Sequence, residues 1–148
     1  MTDEMAGQGA NGAGDPLTIP PGEPVIRTIA MPADTNPAGD IFGGWIMSQM
    51  DLAAGNAAAR LSKGRCVTVA VEGMSFHSPV KVGDEVTVWA ILVKRGRTSM
   101  TFEVQAWSRP RDGETHTCVT RAHFTFVALD DTGRPRPLPR PRNDETWV

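Results

Sequence analysis

The chain is 148 residues long, carries 15 lysines and arginines against 17 acids, and has a formal charge of −2. One small domain is expected; the charge balance argues against a dedicated nucleic-acid binder, and no apolar run approaches the roughly 18 residues of a membrane-spanning helix. Two cysteines, Cys66 and Cys118, are too few for a disulfide scaffold and lack zinc-ligand spacing.

In chain order, residues 1–22 are rich in Gly, Ala, Asp and Pro and offer almost nothing to bury, so a disordered segment is expected there. Their acidic start lacks the apolar stretch of a secretory signal, which points to the cytoplasm. Pro24 to Ala30 reads as a first strand, followed by the loop PADTNPAGD. From Gly44 to about Leu61, Ile46, Met50, Ala53, Ala57 and Leu61 recur at three- and four-residue intervals, which is helical spacing. Trp45, Met47, Leu52 and Ala54 widen that stripe until little of the surface is polar, so the helix must be buried on most sides. Lys63-Gly64 closes it with a basic residue and a C-terminal glycine.

The rest alternates by twos. Val67, Val69 and Val71 are placed on one face, then Val86, Val88, Ala90 and Leu92, then Met100, Phe102, Val104 and Ala106, and last Cys118, Ala122, Phe124 and Phe126. The links FHSPVKVGDE, KRGRT and SRPRDGETH have the Gly, Pro and Asp content of turns. The class is α+β, one helix wrapped by an antiparallel sheet. Residues 132–148 form a Pro/Arg-rich tail. Its prolines forbid helix and sheet, and its arginines, Arg134, Arg136, Arg140 and Arg142, are read as a solvated extension before contacts to an anionic ligand.

Chemistry concentrates on the helix. Asp51 lies between Met50 and Leu52, and a carboxylate there is costly unless paired, hydrogen-bonded or useful. Spacing alone leaves a catalytic acid and a structural cap or ion pair equally open. Gly43 and Gly44 begin the helix, where free amides and the helix dipole suit a developing oxyanion; tight packing against a strand explains the pair as well. Seven residues separate Gly44 from Asp51, about 10 Å along the axis, so one small carbonyl cannot touch both in one chain. Two copies with antiparallel helices would bring the glycine end of one to the aspartate of the other. Asn36 either holds a water or carbonyl or simply orders its loop. Lys94, Arg95, Arg97, Thr98 and Ser99 cluster at a turn suited to phosphate, though a charged hairpin needs no ligand. His77, His116 and His123 are scattered and receive no role.

The blocks RTIAMPADTNPAGDIFGGWIMSQMDLAAG, VTVAVEGMSFHSPVKVGDEV, KRGRTS and CVTRAHFTFVALDDTGRPRPLP resemble the hotdog-fold acyl-CoA thioesterases, over about residues 25–139. The similarity is greatest to the bacterial YciA-type branch, related to the cytosolic acyl-CoA hydrolases. The resemblance implies a hotdog domain over residues 23–131 and hydrolysis of acyl-CoA to free acid and CoA. It also implies a homodimer as minimal unit, assembled as a trimer of dimers. It places the catalytic aspartate on Asp51, the pre-helix asparagine on Asn36 and the carbonyl-polarising amides on Gly43 and Gly44. The basic turn around CoA falls on Arg97, Thr98 and Ser99. No cofactor or metal is implied, coenzyme A being part of the substrate, and no nucleic acid or membrane insertion. The alternative is a non-catalytic acyl-CoA-binding module or sensor on the same fold. A hotdog hydratase would want a histidine beside its acid, and none lies near the helix.

Overall fold

A 20-residue helix, α1 (Gly43–Ser62), lies across a five-stranded antiparallel sheet in the computed structural model of the chain, which describes residues 18–141. The strands are β1 (Ile26–Ile29), β2 (Cys66–Phe76), β3 (Glu85–Arg95), β4 (Ser99–Arg109) and β5 (Thr117–Ala128). Their spatial order is β1-β3-β4-β5-β2, so the strand that follows the helix closes one edge of the sheet and the short β1 lies on the other. β3, β4 and β5 follow one another through short links, as their turn-rich sequences require. This is the α+β arrangement, one helix and one sheet, that the periodicity predicts.

The core lies between the helix and one sheet face. Ile46, Met50, Ala53, Ala54 and Ala58 from α1 are buried against Val86 and Val88 of β3, Met100, Phe102 and Val104 of β4, and Phe124 and Phe126 of β5. The Phe102 and Phe126 rings meet edge to face at 6.2 Å. The alanines let a helix lie close to a sheet, while the phenylalanines fill the space beside it.

Two of the expected strand faces are corrected by bulges. In β2, Thr68 pairs with Phe126 and Ala70 with the next residue, Thr125, so Val69 is an extra residue. Residues directly opposite share a face. Val71, opposite Phe124, therefore faces the helix, and Val67, opposite Val127, faces away. In β5, Ala106 pairs with Thr120 and Trp107 with Cys118, which leaves Val119 as the extra residue. Cys118 thus joins Trp107 on the far face, while Ala122, Phe124 and Phe126 share the core face as predicted. Alternation in sequence cannot register a residue that the ladder skips.

Helix ends also differ from expectation. Lys63, not Gly64, adopts the left-handed conformation that terminates α1, at φ 60. Gly64 serves close packing instead: a Cβ there would lie 2.7 Å from Nη2 of Arg136. That arginine belongs to the segment expected to be solvated. Within the described part of the tail, Arg136 Nε donates to Leu129 O (2.8 Å) and Nη1 to Ser62 O (2.9 Å), an orphan carbonyl of the last helical turn. Proline-rich backbone does form neither helix nor sheet here, but it docks, because the Arg136 guanidinium donates to backbone carbonyls of neighbouring elements. At the other end, Pro20 is already buried and Trp89 Nε1 donates to Gly22 O at 3.2 Å, so the ordered chain includes residues 18–22. The rest of the expected disordered segment, and Arg142, lie outside the described residues.

Candidate active site

The helix shows two different flanks, and Asp51 lies on the open one. A cleft of about 400 Å³ runs between α1 and β2, lined by Gly44, Met47, Ser48 and Asp51, with Thr68, Val71 and Phe124 facing them. Asp51 and Thr68 are shared with a second hollow of about 410 Å³, which continues past Gly55 to Gly64, Arg65 and Cys66. The two form one furrow along the helix with the carboxylate midway. A larger hollow of about 670 Å³ opens on the opposite flank, near Leu61 and Leu92, and contains none of the residues singled out for chemistry.

Asp51 is half-buried, and its Oδ1 accepts a hydrogen bond of 2.6 Å from the Thr68 hydroxyl. Such a short bond to a carboxylate orients the group, and among the described residues Oδ2 has no protein donor. Among the described residues no arginine pairs with Asp51 and it caps no loop. Thr68 was not legible as a site residue, because a threonine in a valine-rich strand reads as ordinary β-propensity. Its one signal is the period of the strand, which turns Thr68 away from Val67 and toward the helix.

The two glycines divide the two readings between them. A Cβ on Gly43 would lie 3.3 Å from the Phe76 ring, so Gly43 serves close packing of the helix start against β2. A Cβ on Gly44 would meet nothing within 4 Å; its open side belongs to the cleft. The N-cap is Phe42, which supplies no side-chain acceptor, and no acceptor among the described residues takes the amides of Gly43 and Gly44.

Asn36 orders its loop. Its Oδ1 accepts from the amides of Ala38 (2.9 Å) and Asp40 (3.1 Å), and its backbone N–H donates to Asp40 O at 2.7 Å. It does not line the cleft that holds Asp51. Arg97, Thr98 and Ser99 form the β3–β4 turn and line none of the three hollows either; Arg97 is exposed. Within one chain, then, Gly44 and Asp51 share a cleft, while Asn36 and the basic turn stand apart from it. No group of three or more His, Cys, Asp or Glu side chains fit to hold a metal occurs among the described residues. Cys66 lies near the carboxylate, and burial raises its thiol above the ordinary value, with Arg136 acting against that and Asp51 adding to it.

Comparison with known proteins identifies the family. The thioesterase superfamily model matches residues 38–114, from the loop before α1 through β4. The acyl-CoA thioester hydrolase YciA of Salmonella typhimurium is 51% identical over 123 residues, 81% of this chain and 92% of that protein. Among solved structures, the hexameric thioesterase y2039 from Yersinia pestis superposes with a TM-score of 0.79 at 50% identity, covering 83% of this chain and 100% of that one. HI0827, a hexameric broad-specificity acyl-coenzyme A thioesterase, gives 0.79 at 47% identity over 85% of this chain and 87% of its own. With the helix-on-sheet architecture already in view, the chain belongs to the thioesterase superfamily and has its hotdog fold.

Proposed function

We propose that this protein hydrolyses acyl-CoA thioesters to a free carboxylic acid and CoA. The observation that carries the reading is the Asp51–Thr68 pair, set in a cleft whose other end is the open backbone of Gly44. A thioester carbonyl is electrophilic and its thiolate leaves readily, so neither a metal nor a cofactor enters the reaction as proposed. Amides at the helix start stabilise negative charge on the carbonyl oxygen, Gly44 contributing to polarisation and Gly43 to the shape of the approach. Asp51, aimed by the Thr68 hydroxyl, presents its second oxygen either to a water as general base or to the thioester carbon as nucleophile.

The roughly 10 Å rise between Gly44 and Asp51 argues that each site is completed by a second chain. Two further observations support a homodimer: β2 is an edge strand, and beside it Leu52, Val67 and Val69 are 60%, 42% and 54% exposed. In such a dimer the Asn36 amide nitrogen, unpartnered among the described residues, is offered to a substrate carbonyl or water at the partner's Asp51. Arg97, Thr98 and Ser99 hold the phosphates of CoA. The hexameric relatives support a hexamer, built in this reading as a trimer of dimers, and the proposed location is the cytoplasm.

Thiol release from a panel of acyl-CoA substrates tests the activity; binding without turnover would assign a sensor instead. Replacing Thr68 by Val keeps the shape and removes the hydroxyl. A hydrogen bond to a charged group contributes about 1.5–3 kcal/mol, so kcat is expected to fall on the order of 10- to 100-fold with KM little changed. Single-turnover hydrolysis in heavy-oxygen water separates the two roles of Asp51, since only the nucleophilic route leaves label in the protein.

A further inference from the structure

We propose that Arg134–Pro139 is a strap that positions the β3–β4 turn for the phosphates of CoA, with Arg136 and Leu138 as its positioning residues; the inference rests on reading that turn as the CoA contact. The turn needs holding. Lys94, Arg95 and Arg97 place three positive charges within four residues, and a hairpin tip with like charges is a site of low local stability. Its own closure is one backbone bond, Gly96 N–H to Ser99 O at 2.8 Å.

β5 adds a tie from Ala128 N–H to Thr98 O at 2.9 Å, and the strap supplies further ones. After β5 the chain folds back: Asp130 N–H donates to Arg134 O (2.7 Å), Leu129 bridges Pro135, and Arg136 N–H donates to Ala128 O (2.9 Å). The Arg136 side chain then spans three elements, taking Leu129 O after β5, Ser62 O at the end of α1, and Arg65 O before β2 at 3.4 Å. Two residues on, Leu138 N–H donates to Arg97 O at 2.9 Å, and Arg95 donates from its guanidinium to Pro139 O. The leucine side chain packs on the core. Prolines at 135, 137 and 139 stiffen the backbone between the anchor and the turn, so the distance from Arg136 to Leu138 is set at little entropic cost. Thus the Arg97 carbonyl is tied down while its side chain stays exposed, available to an anionic ligand.

The test separates positioning from bulk stability by using two substrates, an acyl-CoA and the matching acyl-N-acetylcysteamine thioester, which has no nucleotide. Leu138→Pro removes the one N–H that reaches Arg97 and leaves an extended backbone; Arg136→Lys keeps the charge and loses the fork, and guards against a failure of the first variant to fold. For each, KM for acyl-CoA and Kd for free CoA are expected to rise on the order of fivefold, the worth of about one hydrogen bond, with kcat retained. Turnover of the short thioester should not change. Equal losses on both substrates, or none on either, would overturn the strap. An Arg97→Ala control distinguishes the failures: if it weakens CoA binding while the strap variants do not, the strap alone is wrong. If Arg97→Ala leaves CoA affinity intact, the turn is not the CoA contact and both readings fall.

Discussion

The two flanks of α1 have opposite constructions. Toward β3, β4 and β5, Ile46, Met50, Ala53 and Ala58 are buried against aliphatic and aromatic side chains, and the hollow on that flank opens only beyond them, near Leu61 and Leu92. Toward β2, Gly44, Ser48, Asp51 and Gly55 border an open furrow whose far wall is interrupted by bulges. A helix gains its stability on one side and is thereby free to carry an unneutralised carboxylate on the other. Stability and chemistry can therefore be altered separately, on residues one position apart.

Met50 and Asp51 offer the strongest contrast. Asp51→Asn is nearly isosteric, keeps an acceptor for the Thr68 hydroxyl and removes the base. A fall in kcat on the order of 10²–10⁴-fold is expected, with the melting temperature almost unchanged. Thiol release and thermal melting on the same samples check it, and near-normal turnover would break the assignment. Met50→Ala should do the reverse. Met50 is fully buried, and truncating such a side chain costs roughly 2–5 kcal/mol. Denaturant melts should show that loss, while the folded fraction keeps its kcat.

How legible each flank is from the sequence follows from the same contrast. The closed flank is written in periodicity, since burial demands apolar residues every three or four positions on a helix and every two on a strand; Val86, Val88, Phe102 and Phe124 all face where that rule puts them. The open flank is legible only as an anomaly, an aspartate where the stripe should be apolar. What sequence could not supply is the partner, because Thr68 reaches Asp51 across 17 residues and over a strand whose register shifts just beyond it. The docking of Arg136 was equally hidden: its acceptors are backbone carbonyls, and backbone carries no sequence signal. Asn36 and the Arg97 turn stand out in the sequence only as alternatives, to which family resemblance attaches roles, and within one chain neither lines the cleft.

Gly43 and Gly44 sharpen the comparison within a single dipeptide. Gly44→Ala has room in the isolated chain and adds helix propensity, worth up to about 1 kcal/mol, so the fold should be unharmed. The new methyl would project into the cleft, and a fall in kcat/KM of about tenfold is expected, measurable with one acyl-CoA. Gly43→Ala presses on the Phe76 ring at 3.3 Å and should show its effect first in the melting temperature. The opposite pattern would exchange their roles.

The smallest effect concerns the two cysteines, one on each side of the sheet. Cys66 borders the furrow beside Asp51, while Cys118 lies opposite Trp107 on the far face, and burial is the leading cause that raises both thiols above 9.0. A raised thiol means that folding favours the neutral form. Its contribution to stability is complete below the unfolded value and is lost as pH rises through the folded one. The resulting loss of stability lies on the alkaline side of the ordinary thiol value. Replacing both by alanine should flatten the fall in melting temperature there. Arg136→Ala discriminates between them: the Arg136 charge lowers the Cys66 value and is no cause at Cys118, so alkylation of Cys66 should become slower still and that of Cys118 should not change. A common response of both thiols would mean that the tail steadies the whole sheet, and the division between the two flanks would then be less complete than their packing implies.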